Sequence, residues 1–548
     1  MAADKTADAT LASDVADASL KDPATTSQAA DDLRDGEGDE EEGDELEGEQ
    51  DAAGGSSSQK KKKRKPKKKK PAATEQPLAN VIQNNKPIAV QDLPALLKQL
   101  QAGEASKKEG KAPEDYKFWN TQPVPKFKEP NLLQTTSGKE GDLAEGAILP
   151  AEICKASVKP EPEKLVDGFE WCLIDLDSDE DLQEFYDLLY NHYVEDTDGS
   201  FRFNYSTQFL KWALQPPGWK KEWHIGVRTK TTDDGKRGKL VASITGIPVT
   251  LQVRGKTINA SEINFLAIHR KLRNKRLAPV LIKEVTRRCY QNDIFQALYT
   301  AGTLLPTPVS TCRYFHRSLD WEHLYNTGFS HMPPGSTALR QKYKYRLEPN
   351  TQLKGLRPMK PTDVPAVKDL LVRYGERFHL RQEFTEAEIS HWICSDTSKG
   401  VVWSYVVENE GKITDFISYY LLESSVLRAS KKETIRAAYL YYYATESAFQ
   451  APKQPKVKAK ELQDKLQQRL QELVHDVLIL AKKEDFHVFN ALTLLDNPLF
   501  LKEQKFEPGD GKLNYYLFNW RTPTLPGGVD ERNNIDTTKM GGVGVVML

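Results

Sequence analysis

Glu262-Ile-Asn-Phe-Leu-Ala-Ile-His-Arg-Lys-Leu-Arg-Asn-Lys-Arg-Leu-Ala-Pro-Val280 runs from an apolar segment through a cationic loop into a helix start. Ile263–Ile268 reads as a strand, and Pro279–Tyr290 as a helix whose proline falls in the first turn, where its missing N–H is not needed. Between them stand Arg270, Lys271, Arg273, Lys275 and Arg276. The first N–H groups of a helix lack intrahelical acceptors, and the helix dipole adds partial positive charge there. Cations beside such a start suit a polyanion, and a pyrophosphate with a ribose phosphate fits well. An arbitrary basic loop is by default a solvated turn. A nucleic-acid surface needs cations and aromatics spread along one face, and that spread is not evident. The order strand, basic loop, small residue, helix favours the phosphates of a nucleotide cofactor.

Outward from this segment the chain alternates strands and helices. Trp171–Leu176 reads as a strand, and Ser178 caps a helix carrying Leu182, Phe185 and Leu189 at helical spacing. Ser206 caps a second helix, Thr207–Leu214, which Pro216-Pro217-Gly218 stops. Trp223–Arg228 and Leu240–Val253 read as strands joined by a turn around Asp233-Asp234-Gly235. A similar order returns later. Leu356–Lys360 precedes Thr362-Asp363 and a helix carrying Val367, Leu370, Leu371 and Tyr374, followed by strands at Val401–Val407, Ile413–Leu422 and Ala437–Ala444. This parallels the strand, Ser178-Asp179 and helix of the first half and points to a duplicated α/β unit. Residues 453–483 read as an amphipathic helix with one buried face.

The net charge of −1 over 548 residues hides strong segregation. Residues 31–51 are dominated by Asp, Glu and Gly, while 60–70 read KKKKRKPKKKK. Residues 1–75 hold too little apolar surface to offset their ordering entropy and read as a disordered tail. Residues 76–112 read as a linker with an amphipathic stretch at Val90–Leu100. Compaction is expected from Tyr116-Lys117-Phe118-Trp119, with a Pro-rich arm after it. The five cysteines are scattered without a CxxC pair, which excludes an ordinary zinc cluster and fits a reducing compartment. No window approaches 18 consecutive apolar residues, and the N-terminus lacks a signal-peptide core, so a soluble cytoplasmic protein is expected, without metal or stable membrane insertion. The other end is unusual: Gly541-Gly-Val-Gly-Val-Val-Met-Leu548 is apolar to the last residue, whereas chain ends are usually frayed and polar. A final core strand is the plain account. Flexible glycines threading the end into the body is the other.

EINFLAIHRKLRNKRLAPVLIKEVTRR resembles the signature of the N-myristoyltransferases. So do Tyr116–Lys126, Tyr193–Ser206, Ala213–Arg228, Tyr299–Leu319 and Lys505–Trp520, so the resemblance spans about Tyr116 to Leu548. The segment is also similar to the acetyltransferase acyl-CoA loop (Arg/Gln-x-x-Gly-x-Gly/Ala), here Arg273-x-x-Arg276-x-Ala278 with the middle glycine missing. Ala267, Arg270 and Glu507 stand where cysteine, lysine and glycine are usual, and Glu507-Pro508 is expected to alter the loop before Asp510. The resemblance implies a mixed α/β, duplicated acetyltransferase-like fold of two pseudo-symmetric halves, 113–354 binding acyl-CoA and 355–548 binding peptide, around a saddle-shaped mixed sheet. It implies transfer of a myristoyl (C14) group from myristoyl-CoA to the α-amine of an N-terminal glycine on a protein or nascent chain.

By the same resemblance, the backbone N–H groups of Phe265 and Leu266 form an oxyanion hole; two donors aimed from a bulged strand make chemical sense for that task. Plain core packing is the alternative for both. The Leu548 carboxylate is the implied base. Its ordinary pKa of about 3.3–3.7 makes it weak unless burial raises it, and the glycine amine at about 7.7–8.0 must lose a proton before attack. Tyr116, Lys117, Phe118, Trp119, Arg273, Asn274, Lys275, Arg276, Leu277, Ala278 and Pro279 are implied to hold CoA. Tyr193, Phe201, Phe203, Tyr205, Tyr314, His316, Phe329 and Tyr439 are implied to line a peptide groove with Asp196, although on their own most of these rings read as ordinary core aromatics. Asn264, Thr300 and Gly302 are placed near the reacting amine, and Ser424, Asp510 and Leu513 further along. Burying roughly twelve methylenes at about 0.8 kcal/mol each contributes on the order of 10 kcal/mol, enough to select chain length in an apolar tunnel in the first half.

The alternatives are a related N-acetyl or aminoacyl transferase, and a non-catalytic RNA- or ribosome-binding protein. Lys60–Lys70 admits a solvated tail, a nuclear localisation signal, or a tether to ribosomal RNA or anionic membrane. The ribosome is the preferred partner for an enzyme of emerging N-termini, and that preference fails if deleting residues 1–75 leaves ribosome co-sedimentation unchanged. A monomer is expected.

Overall fold

The computed structural model describes residues 116–127, 129, 144–195, 199–231, 235–428, 433–449 and 458–548. The tail, Val90–Leu100, Lys60–Lys70, Asp196 and the turn residues Asp233 and Asp234 lie outside them. In chain order the first half runs β1 (Phe169–Leu173), α1 (Asp179–His192), β2 (Phe201–Asn204), α2 (Thr207–Leu214), β3 (His224–Thr229), β4 (Leu240–Val253), β5 (Lys256–Ile268), α3 (Leu277–Gln291), β6 (Gln296–Ala301) and β7 (Ser310–Ser318). The second runs β8 (Leu356–Pro358), α4 (Val364–Gly375), β9 (Leu380–Gln382), a short helical segment 386–394, β10 (Val402–Asn409), β11 (Lys412–Val426), β12 (Glu433–Thr445), α5 (Ala459–Lys483), β13 (Val488–Leu492) and β14 (Glu507–Phe518).

These fourteen strands form one mixed sheet, ordered β1-β3-β4-β5-β6-β14-β7-β13-β12-β11-β10-β8, with β9 beside β4 and β2 beside β11; a separate short pair joins Gly146–Ala147 to Trp520–Arg521. The order reads the same from both ends once each strand is matched with its counterpart in the other half. β14 completes the first half beside β6, and β7 completes the second beside β13. The two parallel pairs, β5 with β6 and β12 with β13, also correspond, each bridged by a crossover helix. The duplication is therefore present in topology, and the halves exchange their last strands.

Local chemistry explains the elements the sequence marks. Ser178 accepts the Asp181 N–H at the start of α1, three acidic residues occupy its first turn, and Leu182, Phe185, Leu188 and Leu189 are buried. Ser206 caps α2 through the Phe209 N–H. The first strand ends at Leu173 rather than Leu176, because the Asp181 carboxylate takes the Asp175 N–H at 3.1 Å and draws the chain out of the sheet. The strand expected at Ile263–Ile268 starts earlier, at Lys256. It leaves β4 through Arg254-Gly255, both at positive φ (47° and 84°), the backbone of a tight two-residue hairpin. The helix read at 453–483 is described from Ala459.

Candidate active site

β5 carries a bulge. Its register against β4 passes from Ala267 opposite Ser243 to Asn264 opposite Thr245, so Phe265 and Leu266 together face the one residue Ile244. Phe265 takes φ +53°, a left-handed backbone rare for an aromatic residue. Two hydroxyls hold this turn from β4. Ser243 Oγ donates to the Phe265 carbonyl at 2.9 Å and Thr245 Oγ1 to the Asn264 carbonyl at 2.8 Å. The buried Phe265 ring is caged by Phe185, Tyr193 and Tyr205 at 6.1, 5.9 and 5.2 Å between centroids. Burial pushes the Tyr193 phenol up to about 12, opposed by the Phe265 N–H, which donates to it. The second half repeats the device: β12 bulges at Tyr441 and Tyr442 opposite Ser418, whose Oγ donates to the Tyr442 carbonyl at 2.9 Å.

Beyond β5 the loop turns through Arg270–Leu272, with Asn274 and Arg276 left-handed at φ 61° and 58°, and α3 begins at Leu277. Arg276, where the acetyltransferase loop has glycine, occupies a backbone that glycine adopts freely. Arg270 pairs with Glu195, and the Arg273 guanidinium donates to the His192 carbonyl at 2.7 Å, which ties the loop to the end of α1. Lys275 and Arg276 are exposed and make no ion pair among the described residues. Burial, then His269, Arg270, Arg273 and Arg202, push the His192 imidazole down to about 4. The spot is strongly electropositive. The Tyr116–Trp119 segment packs nearby on α3, with Phe118 and Trp119 in one apolar cluster with Ile282 and Tyr290. Trp119 stacks on Tyr299 at 5.5 Å, and the Tyr116 hydroxyl donates to Leu304 at 3.0 Å.

The expected groove residues come from both halves. β2 lies along β11 with Phe203 opposite Ser424, and Phe203 meets Tyr439 at 6.5 Å. Tyr193, Tyr205, Tyr314, Tyr420 and Tyr439 act on one another electrostatically, so five phenols converge, and burial raises each well above its ordinary range. Such phenols stay neutral and donate hydrogen bonds. His316 lies beside Asn490 at 2.7 Å, Asp510 acts on it from β14, and burial lowers its pKa, keeping the ring neutral. Phe201 and Phe329 pack at 5.8 Å in a separate cluster that includes Leu324 and reaches Tyr439. Thr300 pairs with Tyr515 and Leu513 with Cys312 along β14, and the Gly302 carbonyl accepts from Asn514 at 3.3 Å. Glu507 belongs to β14, opposite His316, and binds Lys344 at 2.5 Å.

The C-terminus threads inward. Leu380 N–H donates to Gly542 at 2.9 Å, Gly544 N–H to Leu380 at 2.7 Å, Leu495 N–H to Val543 at 2.8 Å, and the Tyr515 hydroxyl to Val545 at 3.2 Å. Val546 N–H donates to the Tyr442 hydroxyl at 3.0 Å, at the second bulge. The glycines serve close packing rather than flexibility. A Cβ on Gly542 would lie 1.9 Å from the Pro526 oxygen, and one on Gly544 would lie 2.7 Å from Phe378. Leu548 is half-buried against the same core that holds Phe265 and Tyr205.

The sequence model described as "Myristoyl-CoA:protein N-myristoyltransferase, N-terminal domain" matches residues 149–312, and its C-terminal counterpart matches 326–546. Glycylpeptide N-tetradecanoyltransferase of Ajellomyces capsulatus is 53% identical over 438 residues, 79% of this chain and 78% of that protein. The Aspergillus fumigatus protein of the same name is 54% identical, over 79% and 84% of the two chains. The chain belongs to the N-myristoyltransferase family. A crystal structure of Saccharomyces cerevisiae N-myristoyltransferase with bound myristoyl-CoA superposes with a TM-score of 0.72 at 46% identity, covering 80% of this chain and all of that one. Membership makes the chain an acyltransferase. Sequence reading of this N-myristoyltransferase relative missed Glu262, Tyr420, Tyr442 and Asn490. For Glu262 a signal existed, since a carboxylate stands inside an apolar strand. For the other three none did.

Proposed function

We propose that this chain transfers the myristoyl group of myristoyl-CoA to the α-amine of an N-terminal glycine on a protein, by direct attack of the amine on the thioester. In this reading Tyr116–Trp119 and Arg273–Pro279 hold CoA, with Lys275 and Arg276 and the first α3 N–H groups facing phosphate. The Leu266 N–H, and the Phe265 N–H once it leaves the Tyr193 phenol for the thioester oxygen, stabilise the oxyanion, and the Leu548 carboxylate takes the amine proton. The CoA sulfur leaves as the amide forms. The convergence of neutral phenols supports a groove for an extended, uncharged peptide start, and the caged bulge leaves little room beyond a glycine.

One observation carries the reading. The bulged strand and the chain end meet: Val546 is bonded to Tyr442, whose phenol lies in the field of Glu262, and Glu262 accepts from Asn264 next to Phe265. Incubation with acyl-CoAs of graded length and a Gly-initiated peptide tests it. Transfer should peak near fourteen carbons, and removal of Leu548 should abolish turnover while acyl-CoA still binds. Preferential two-carbon transfer defeats the reading, and full turnover without Leu548 removes the carboxylate. Lys60–Lys70 is the proposed ribosome tether of a cytoplasmic, monomeric enzyme. No described helix is long and apolar enough to cross a membrane.

A further inference from the structure

Glu262 is buried within β5, three residues before the bulge, and its side chain accepts one hydrogen bond, from Asn264 Nδ2 at 2.8 Å. No cation among the described residues acts on it; burial and the Asn264 amide are the influences on its charge. The titratable groups in its field are the phenols of Tyr441 and Tyr442 on β12, and Glu388 acts on Tyr441 in turn. Its register partners on β4 and β6, Ile247 and Leu298, are apolar. The two phenols are themselves held protonated by burial.

The chemistry of this pair fixes an orientation. An ionised carboxylate only accepts, so Asn264 must turn its NH2 toward Glu262 and point its carbonyl oxygen away. A protonated carboxyl donates, and then the amide can turn round and present NH2 instead. We propose that Glu262 is a positioning residue that sets which end of the Asn264 amide meets the incoming glycine amine. The inference rests on the reading above that Asn264 lies beside that amine. With the carbonyl outward, Asn264 accepts an amine N–H and leaves the nitrogen lone pair free to attack. With NH2 outward, Asn264 donates into that lone pair and opposes the reaction. Burial, offset by the Asn264 amide alone, holds the carboxyl up at about 7, so both states are populated near neutral pH.

The test is the pH profile of kcat/KM for a Gly-initiated peptide, measured on the full chain from pH 5.5 to 8.5 at saturating myristoyl-CoA. The amine binds neutral and Leu548 takes its N–H proton only as the amide forms, so two protons govern the acid limb, one on the free substrate amine and one on Glu262, and the logarithmic slope below about pH 7 should approach two. Glu262→Gln keeps the acceptor oxygen without the titration and should reduce that slope to one. Asn264→Leu removes the element being oriented and should also give a slope of one, at lower rate. Acyl-CoA affinity, measured directly, should stay within about twofold in both variants. A slope of two retained in E262Q, or a slope of one in the unmodified enzyme, overturns the inference. If the unmodified enzyme fails to acylate the peptide at any pH, the functional reading fails first.

Discussion

Arg276 and Phe265 show what single residues contribute here. Both hold left-handed backbone (φ 58° and 53°), which costs a side-chain-bearing residue roughly 1–2 kcal/mol. Arg276→Gly should leave stability nearly unchanged, because relief of that strain offsets a backbone entropy cost of about 0.5–1 kcal/mol. Arg276→Val should lose on the order of 1–2 kcal/mol, and both should weaken acyl-CoA binding by removing a cation. Urea unfolding and direct binding measurements separate the two effects. Glu262 makes a stability prediction of known sign. Its folded pKa is raised to about 7 from an ordinary 4.5, so its contribution is fully present below pH 4.5 and is lost as pH rises through 7. Glu262→Gln should flatten that part of the stability profile, read as urea midpoints at pH 5 and pH 8.

At the scale of elements, α3 joins the two ends of the cofactor reading. Its start faces the cationic loop, and its far face carries Tyr290 against the Tyr116–Trp119 cluster. Glu284, almost fully buried on α3, holds Arg287 at 2.7 Å and Arg288 at 2.6 Å. Removing one member of a buried ion pair costs roughly 3–5 kcal/mol, and the partial exposure of both arginines places Glu284→Ala near the low end, about 3 kcal/mol. Differential scanning calorimetry should show the loss, and acyl-CoA affinity should fall with it as the helix start loosens. The hairpin of β4 and β5 and that of β11 and β12 share one construction, a serine hydroxyl holding the carbonyl of a bulge. In the second half that bulge receives the chain end through Tyr442.

Across the whole molecule the exchanged strands decide cooperativity. β14 pairs with β6 and β7, so residues 144–354 alone would leave two internal strands with open edges. The intact chain should unfold in a single calorimetric transition. That fragment should aggregate when produced alone and become soluble when refolded with residues 355–548, as size-exclusion chromatography would report. Two resolved transitions, or a monomeric soluble fragment, would contradict this.

The sequence alone determined what local chemistry controls. Ser178, Ser206 and Pro216-Pro217 bounded α1 and α2 because caps and breakers act within a turn or two. The turn residues Asp233-Asp234-Gly235 separated β3 from β4 in the sequence. The basic loop before α3 was legible as an anion site because charge and helix start are adjacent in the chain. Only the tertiary structure decided the rest. Strands β6, β7, β13 and β14 earn their places from partners in the opposite half, which no short window contains. The left-handed turn at Phe265 depends on hydroxyls from Ser243 and Thr245, a hairpin away. The C-terminal glycines read as flexible in the sequence but serve close packing, because the Pro526 and Phe378 atoms that exclude a Cβ at Gly542 and Gly544 are remote in sequence. The buried carboxyl of Glu262 could be seen as odd in the chain. Its low-dielectric surroundings, and so its titration near neutrality, exist only once the two halves close around it.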